Sequence, residues 1–156
     1  MKQLLMSAVV AVAFVVGSLG TATWDGAALV AEAEAAEAKV SVAVIKATKS
    51  GSTDDKSKRY QSVISQIGGF SGFTYVTDSS FNATVGSAVE KKLAGRTLSV
   101  TVKSASADKV STAVTVTDPN GKKHAVSSST KPGASVVVAA KSSDGSEAHL
   151  FIVTVR

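Results

Sequence analysis

The chain has 156 residues, with 17 Lys and Arg against 12 Asp and Glu for a net charge of +5, and it contains no cysteine. The absence of thiols excludes disulfides, thiolate metal sites, a cysteine nucleophile and lipid attachment at a cysteine. Stability must come from a packed core, and at this length one independent core is feasible and two are not.

The first segment reads as an export signal. Lys2 supplies the positive start, and an apolar run extends from Leu4 to Leu19, with Leu4–Val16 as its hydrophobic centre. As a helix this run covers about 24 Å at ~1.5 Å per residue, short of the ~30 Å hydrocarbon core, so a cleaved signal fits better than an anchor. Small residues suit cleavage after Ala22, in Gly20-Thr21-Ala22, or later, at Ala31-Glu32-Ala33 or after Ala38 in Ala36-Glu37-Ala38. A cut after Ala38 removes Asp25, Glu32, Glu34 and Glu37 with Lys2 and raises the net positive charge. A cut after Ala22 removes Lys2 alone and leaves Thr23–Ala38 as an Ala/Glu-rich leader. Residues 1–38 are thus read as signal peptide and leader, and 39–156 as a single β-rich domain. An exported domain without disulfides fits a bacterial periplasm or extracellular space. In that setting Asn82-Ala83-Thr84 is an unused sequon.

The domain opens with Val40, Val42 and Val44 alternating with Ser41 and Ala43, which predicts a half-buried strand over Lys39–Ala47. Tyr60, Val63, Ile64 and Ile67 then recur at helical spacing, which predicts one amphipathic helix over about 54–67. Ser52, Thr53 or Asp54 caps it, the acidic pair Asp54-Asp55 favours its positive end, and Gly68-Gly69 stops it. Phe73–Val76 and Phe81–Val85 flank Asp78-Ser79-Ser80, whose composition predicts a hairpin turn.

Beyond Leu93 only strand and turn signals remain. Arg96–Lys103, Lys109–Thr117, Lys122–Ser128, Ser135–Lys141 and Glu147–Arg156 read as strands of a meander in sequence order. Asp118-Pro119-Asn120-Gly121 is the best-specified turn, since proline presets φ and Asn-Gly tolerates positive φ. Leu150–Val155 is apolar on both alternating faces, which predicts a central strand covered by the helix on one side and by opposing strands on the other. The fold class is therefore α+β, mainly β: an antiparallel sheet or small β-sandwich with one amphipathic helix after the first strand.

This order of signal, first strand Val42–Ala47, charged helix, Phe/Tyr hairpin and Gly95-Arg96-Thr97-Leu98-Ser99-Val100 resembles a group of small uncharacterised secreted β-rich proteins of the myxobacterial type. The resemblance covers nearly all of the chain after the signal. It implies export and fold and brings no activity or site residue with it. Here the strands are richer in Ser and Thr than the more aliphatic strands of that group.

Catalytic signatures are lacking. His124 follows the Asp118–Gly121 turn and reads as an exposed strand-edge residue, while His149 opens the last strand within reach of Asp144 or Glu147. No Gly-x-Ser-x-Gly elbow accompanies either. Asp54-Asp55 lacks the later ligands of a calcium loop, and Gly68-Gly69-Phe70-Ser71-Gly72 follows a helix with no Gly-Lys-Ser/Thr after it, so no metal or cofactor is implied. Positive charge is the feature that points to a partner. Lys56, Lys58 and Arg59 lie near the helix start, Lys91 and Lys92 precede a strand, and Lys122 and Lys123 sit at a turn. Two such clusters brought together would attract phosphates or carboxylates of an envelope polymer. Nucleic acid is disfavoured because the aromatic residues are needed for the core.

The expectation is an exported, non-catalytic binding or structural module of the bacterial envelope or extracellular space. Its ligand is an anionic polymer, or its exposed edge Ser135–Lys141 adds a strand to a protein partner or a second copy. The rivals are a secreted hydrolase built on a histidine and a subunit of a surface assembly.

Overall fold

In the computed structural model, residues 36–156 are described; the signal and leader expectations for 1–35 lie outside the described residues. The elements in chain order are β1 (Glu37–Thr48), α1 (Asp55–Lys58), α2 (Gln61–Ile64), β2 (Gly72–Thr84), β3 (Ala88–Leu93), β4 (Arg96–Ala105), β5 (Val110–Thr117), β6 (Lys123–Thr130), β7 (Ser135–Lys141) and β8 (Glu147–Val155). They form two antiparallel four-stranded sheets, one in the order β2-β1-β8-β7 and the other β3-β4-β5-β6.

Alternation of side chains sets what each sheet buries. Val40, Val42 and Val44 of β1 and Phe151, Val153 and Val155 of β8 face Leu98, Val100 and Val102 of β4 and Val110, Val114 and Val116 of β5 in one buried cluster. The intervening residues Ala43, Ile45 and Ala47 of β1 and Leu150 and Ile152 of β8 point the other way, into a second cluster with Ile64 and Phe73. The final strand is central and doubly covered, as its apolar alternation implies. β1 is also buried on both faces from Val42 to Ile45, more than a half-buried strand.

The helical stripe is real but broken. Asp54 caps α1, accepting from the Ser57 N–H at 2.7 Å through Oδ1 and from the Tyr75 N–H at 2.8 Å through Oδ2, so it fastens α1 to β2. Tyr60 leaves helical geometry at φ −103 and ψ 12, and its carbonyl accepts from both Val63 and Ile64 to start α2. Helices this short owe their existence to packing rather than propensity. Ile64 is fully buried, and Tyr60, Val63 and Ile67 pack around the same cluster.

Three expectations about strands need correction. Asp78-Ser79-Ser80 is no turn: β2 runs unbroken, with these residues paired to Ala43, Val42 and Ser41 of the twelve-residue β1. A long partner ladder overrides local turn composition. Lys91 and Lys92 lie within β3, which joins β4 through Ala94 and Gly95 at φ 51 and φ 72. The meander holds from β3 to β6, but β7 and β8 cross to the other sheet, where β8 inserts between β1 and β7. Gly72 opens β2 because a Cβ there would meet Thr48 Oγ1 at 2.5 Å and Ser50 O at 2.7 Å.

Candidate functional site

Strand register decides which charged residues meet. Leu93 pairs with Arg96 and Lys92 with Thr97; Thr97 pairs with Thr117, and Thr117 with Lys123. Lys92 and Lys123 therefore lie in one cross-strand row, on the face of their sheet turned away from the core, about 14 Å apart at ~4.8 Å per strand. Lys91 and Lys122 adjoin them in sequence, and all four are exposed. Among the described residues none of the four forms an ion pair; Lys91 Nζ instead stands 5.7 Å from the centroid of the Phe81 ring. Glu90 shares the outer face with Lys92 two residues away.

Lys56, Lys58 and Arg59 do not join this row. They belong to the helical segment packed beside the other sheet, Lys56 Nζ lying 5.5 Å from the Tyr75 ring centroid and Lys58 bridging to Asp55 at 2.6 Å. Both side chains of that bridge are largely exposed, so it adds little to stability. Two of the three basic clusters are thus brought to one end of one sheet, and the third stays across the sandwich.

Beneath the lysine row lies a polar cluster at the end of the inner faces. Arg96 Nε donates to Asp118 Oδ1 at 2.6 Å, and His124 Nε2 lies 3.0 Å from Asp118 Oδ2. Their side chains are 17%, 9% and 16% exposed for Arg96, Asp118 and His124. Burial pushes the Asp118 carboxyl up, but the hydrogen bonds from His124 and Arg96 outweigh it and hold the group below its usual range. His124 is accordingly not the exposed edge residue its position suggested. The alternation Arg96, Leu98, Val100 with Val114, Val116, Asp118 places Arg96 and Asp118 on one inner face, a signal readable in the sequence once the two strands are paired.

His149 opens the inner face of β8. Burial and the positive charges of Arg96 and Lys46 lower its pKa, with Glu147 and Asp118 acting in the opposite sense. It does not pair with Asp144, whose carboxylate is held by Ser142 and Ser146 and lies well below the ordinary range. Glu147 bonds instead to Lys46 at 2.9 Å.

Asp118 and His124 supply two members of a nucleophilic triad. Among the described residues, however, no serine or threonine hydroxyl hydrogen-bonds to either histidine, and the second oxygen of Asp118 is committed to Arg96. This arrangement pins β4, the β5–β6 turn and β6 together. Among the described residues no group of three His, Asp or Glu could hold a metal ion. α2 already ends at Ile64 with Ser65 as its C-cap, so Gly68-Gly69 does not stop the helix but lies in the connector to β2, with Gly69 at φ 88.

Compared with known protein families, curated proteins and solved structures, the chain matches none.

Proposed function

We propose that this protein is an exported, non-catalytic module that binds an anionic polymer of the bacterial envelope or its surroundings. The observation that carries the reading is the shared row of Lys92 and Lys123 on an exposed sheet face, with exposed Lys122 at the adjoining turn and exposed Lys91 next to Lys92 on the β3 edge, its side chain on the other face. Asp118, the nearest turn carboxylate, is bonded inward to Arg96 and His124, so it leaves the turn lysines without an ion-pair partner. Unpaired exposed cations in a row suit a repeating polyanion, because each contact releases condensed counterions. The signal-like start and the resemblance to small secreted β-rich proteins support an exported location.

The test is cosedimentation of the purified protein with isolated bacterial envelopes, and separately with inorganic polyphosphate beads, at low and high salt. Binding that collapses with salt supports the reading; absence of binding at both salts overturns it.

A further inference from the structure

Four strands form sheet edges: β2, β3, β6 and β7. Three are guarded. β3 carries Glu90, Lys91 and Lys92; β6 begins with Lys123 and His124 and ends in Ser127-Ser128-Ser129-Thr130; β2 exposes a lone valine, Val76, among the polar Thr74, Asp78, Ser80 and Asn82. β7 differs, because Val136-Val137-Val138-Ala139-Ala140 holds no charge or proline until Lys141. Among the described residues it pairs with β8 alone. An uncharged apolar edge of this kind is a template for another strand, which natural sheets block unless they use it.

We propose that β7 is the interface of a two-fold dimer, pairing antiparallel with β7 of a second copy to make one continuous eight-stranded sheet. The strand is self-complementary about Val138. With Val138 on the axis, Val136 meets Ala140, Val137 meets Ala139, and Ser135 meets Lys141. Larger side chains thus oppose smaller ones and no like charges face each other, as an isologous interface requires.

The surface beside the edge fits the same occupant. A groove of about 590 Å³ runs between the helical segment and β7, lined by Ser62, Val63, Gln66, Ile67, Ser135 and Val137. Val63, Ile67 and Val137 are only partly buried there. The incoming strand brings its own Val137 and Ala139 to that opening and covers them, with its Lys141 opposite Ser135 at the rim, where the long stem can carry the ammonium to water.

The two-fold axis also reverses strand direction across the interface. The lysine rows then point to opposite ends of the dimer, so the dimer links two polymer strands. This consequence rests on the polymer reading; the dimer does not.

Sedimentation velocity of the purified protein from micromolar to millimolar tests the interface, with amide hydrogen exchange as the site-specific readout. The expected result is a reversible doubling of mass that persists at high salt, with amides of Ser135–Lys141 slowing as concentration rises. Ala139→Lys, checked for folding by circular dichroism, should weaken dimerisation at least tenfold by burying a charge at the pairing face. A monomer at millimolar concentration overturns the proposal and leaves the edge to a foreign strand; a dimer whose β7 exchange is unchanged with concentration overturns it in favour of another surface. Neither outcome touches the polymer reading, which is scored by salt-sensitive binding to envelopes.

Discussion

His124 Nε2 lies 3.0 Å from Asp118 Oδ2, which ties the start of β6 to the turn that follows β5. The same carboxylate accepts from Arg96 of β4, so a single partly buried anion closes one end of three strands. Asp118→Ala would leave Arg96 and His124 largely buried without their carboxylate, Arg96 keeping only its bond to the Ala94 carbonyl. The expected cost is about 2 kcal/mol, since an orphaned charged group loses its compensation on removal of its mate. Urea unfolding of the variant measures this, and a change under about 0.5 kcal/mol would show the cluster to be ornamental.

The core makes a sharper demand at Ile152. This residue is 2% exposed and pairs with Ala43 and Val137 in the cluster beneath the helices. Ile152→Ala should cost about 2–5 kcal/mol and Ile152→Asp should prevent folding, as read by circular dichroism and thermal unfolding.

Acid should weaken the fold in two stages. His149 has its folded pKa lowered, so the folded state binds fewer protons than the unfolded one below the ordinary histidine value near ~6.5. The contribution is fully present above that value and is lost as pH falls through the lowered folded pKa. Asp118 is also lowered, so its contribution is present above the ordinary carboxylate value near ~3.9 and is lost at still lower pH. Thermal midpoints of the wild type and His149→Gln should diverge from neutrality down to about pH 5, with the variant changing less. Parallel curves would remove His149 as the cause.

Tyr75 gives a spectroscopic check on the outer face of β2. Its hydroxyl donates to Asp78, and this bond, with some burial and the carboxylate charge, pushes its pKa up to about 12. In a pH titration at 295 nm, Asp78→Asn should let one tyrosine ionise earlier than in the wild type. An unchanged titration would contradict the pairing.

How much of this was legible in the sequence differs by element. The last strand was clear because Leu150–Val155 is apolar at both parities, a pattern only a doubly covered strand needs. The helix was clear in its buried stripe, but not in its break at Tyr60, which the stripe does not record. Asp78-Ser79-Ser80 misled because turn composition is local, whereas β2 is held by a ladder to residues over thirty positions away. β3 was hidden by Glu90, Lys91 and Lys92, charges that suit an exposed edge and conceal the alternation of Val89 and Leu93. At the site the lysines were visible as clusters. That Lys92 and Lys123 share a row follows from register, which four separate strands must first define.

Under the proposed function, the lysine row rather than net charge at large binds the polymer. Replacing Lys91, Lys92, Lys122 and Lys123 with Ala should weaken envelope binding by about 4 kcal/mol at low salt, at ~1 kcal/mol per lysine near an anionic surface, and flatten its salt dependence. Replacing Lys56, Lys58 and Arg59 should change it far less. Salt titrations of envelope binding for the wild type and both variants are the measurement to make. A selective loss in the four-lysine variant is the result predicted here, and equal losses in the two variants, or none in either, would contradict it.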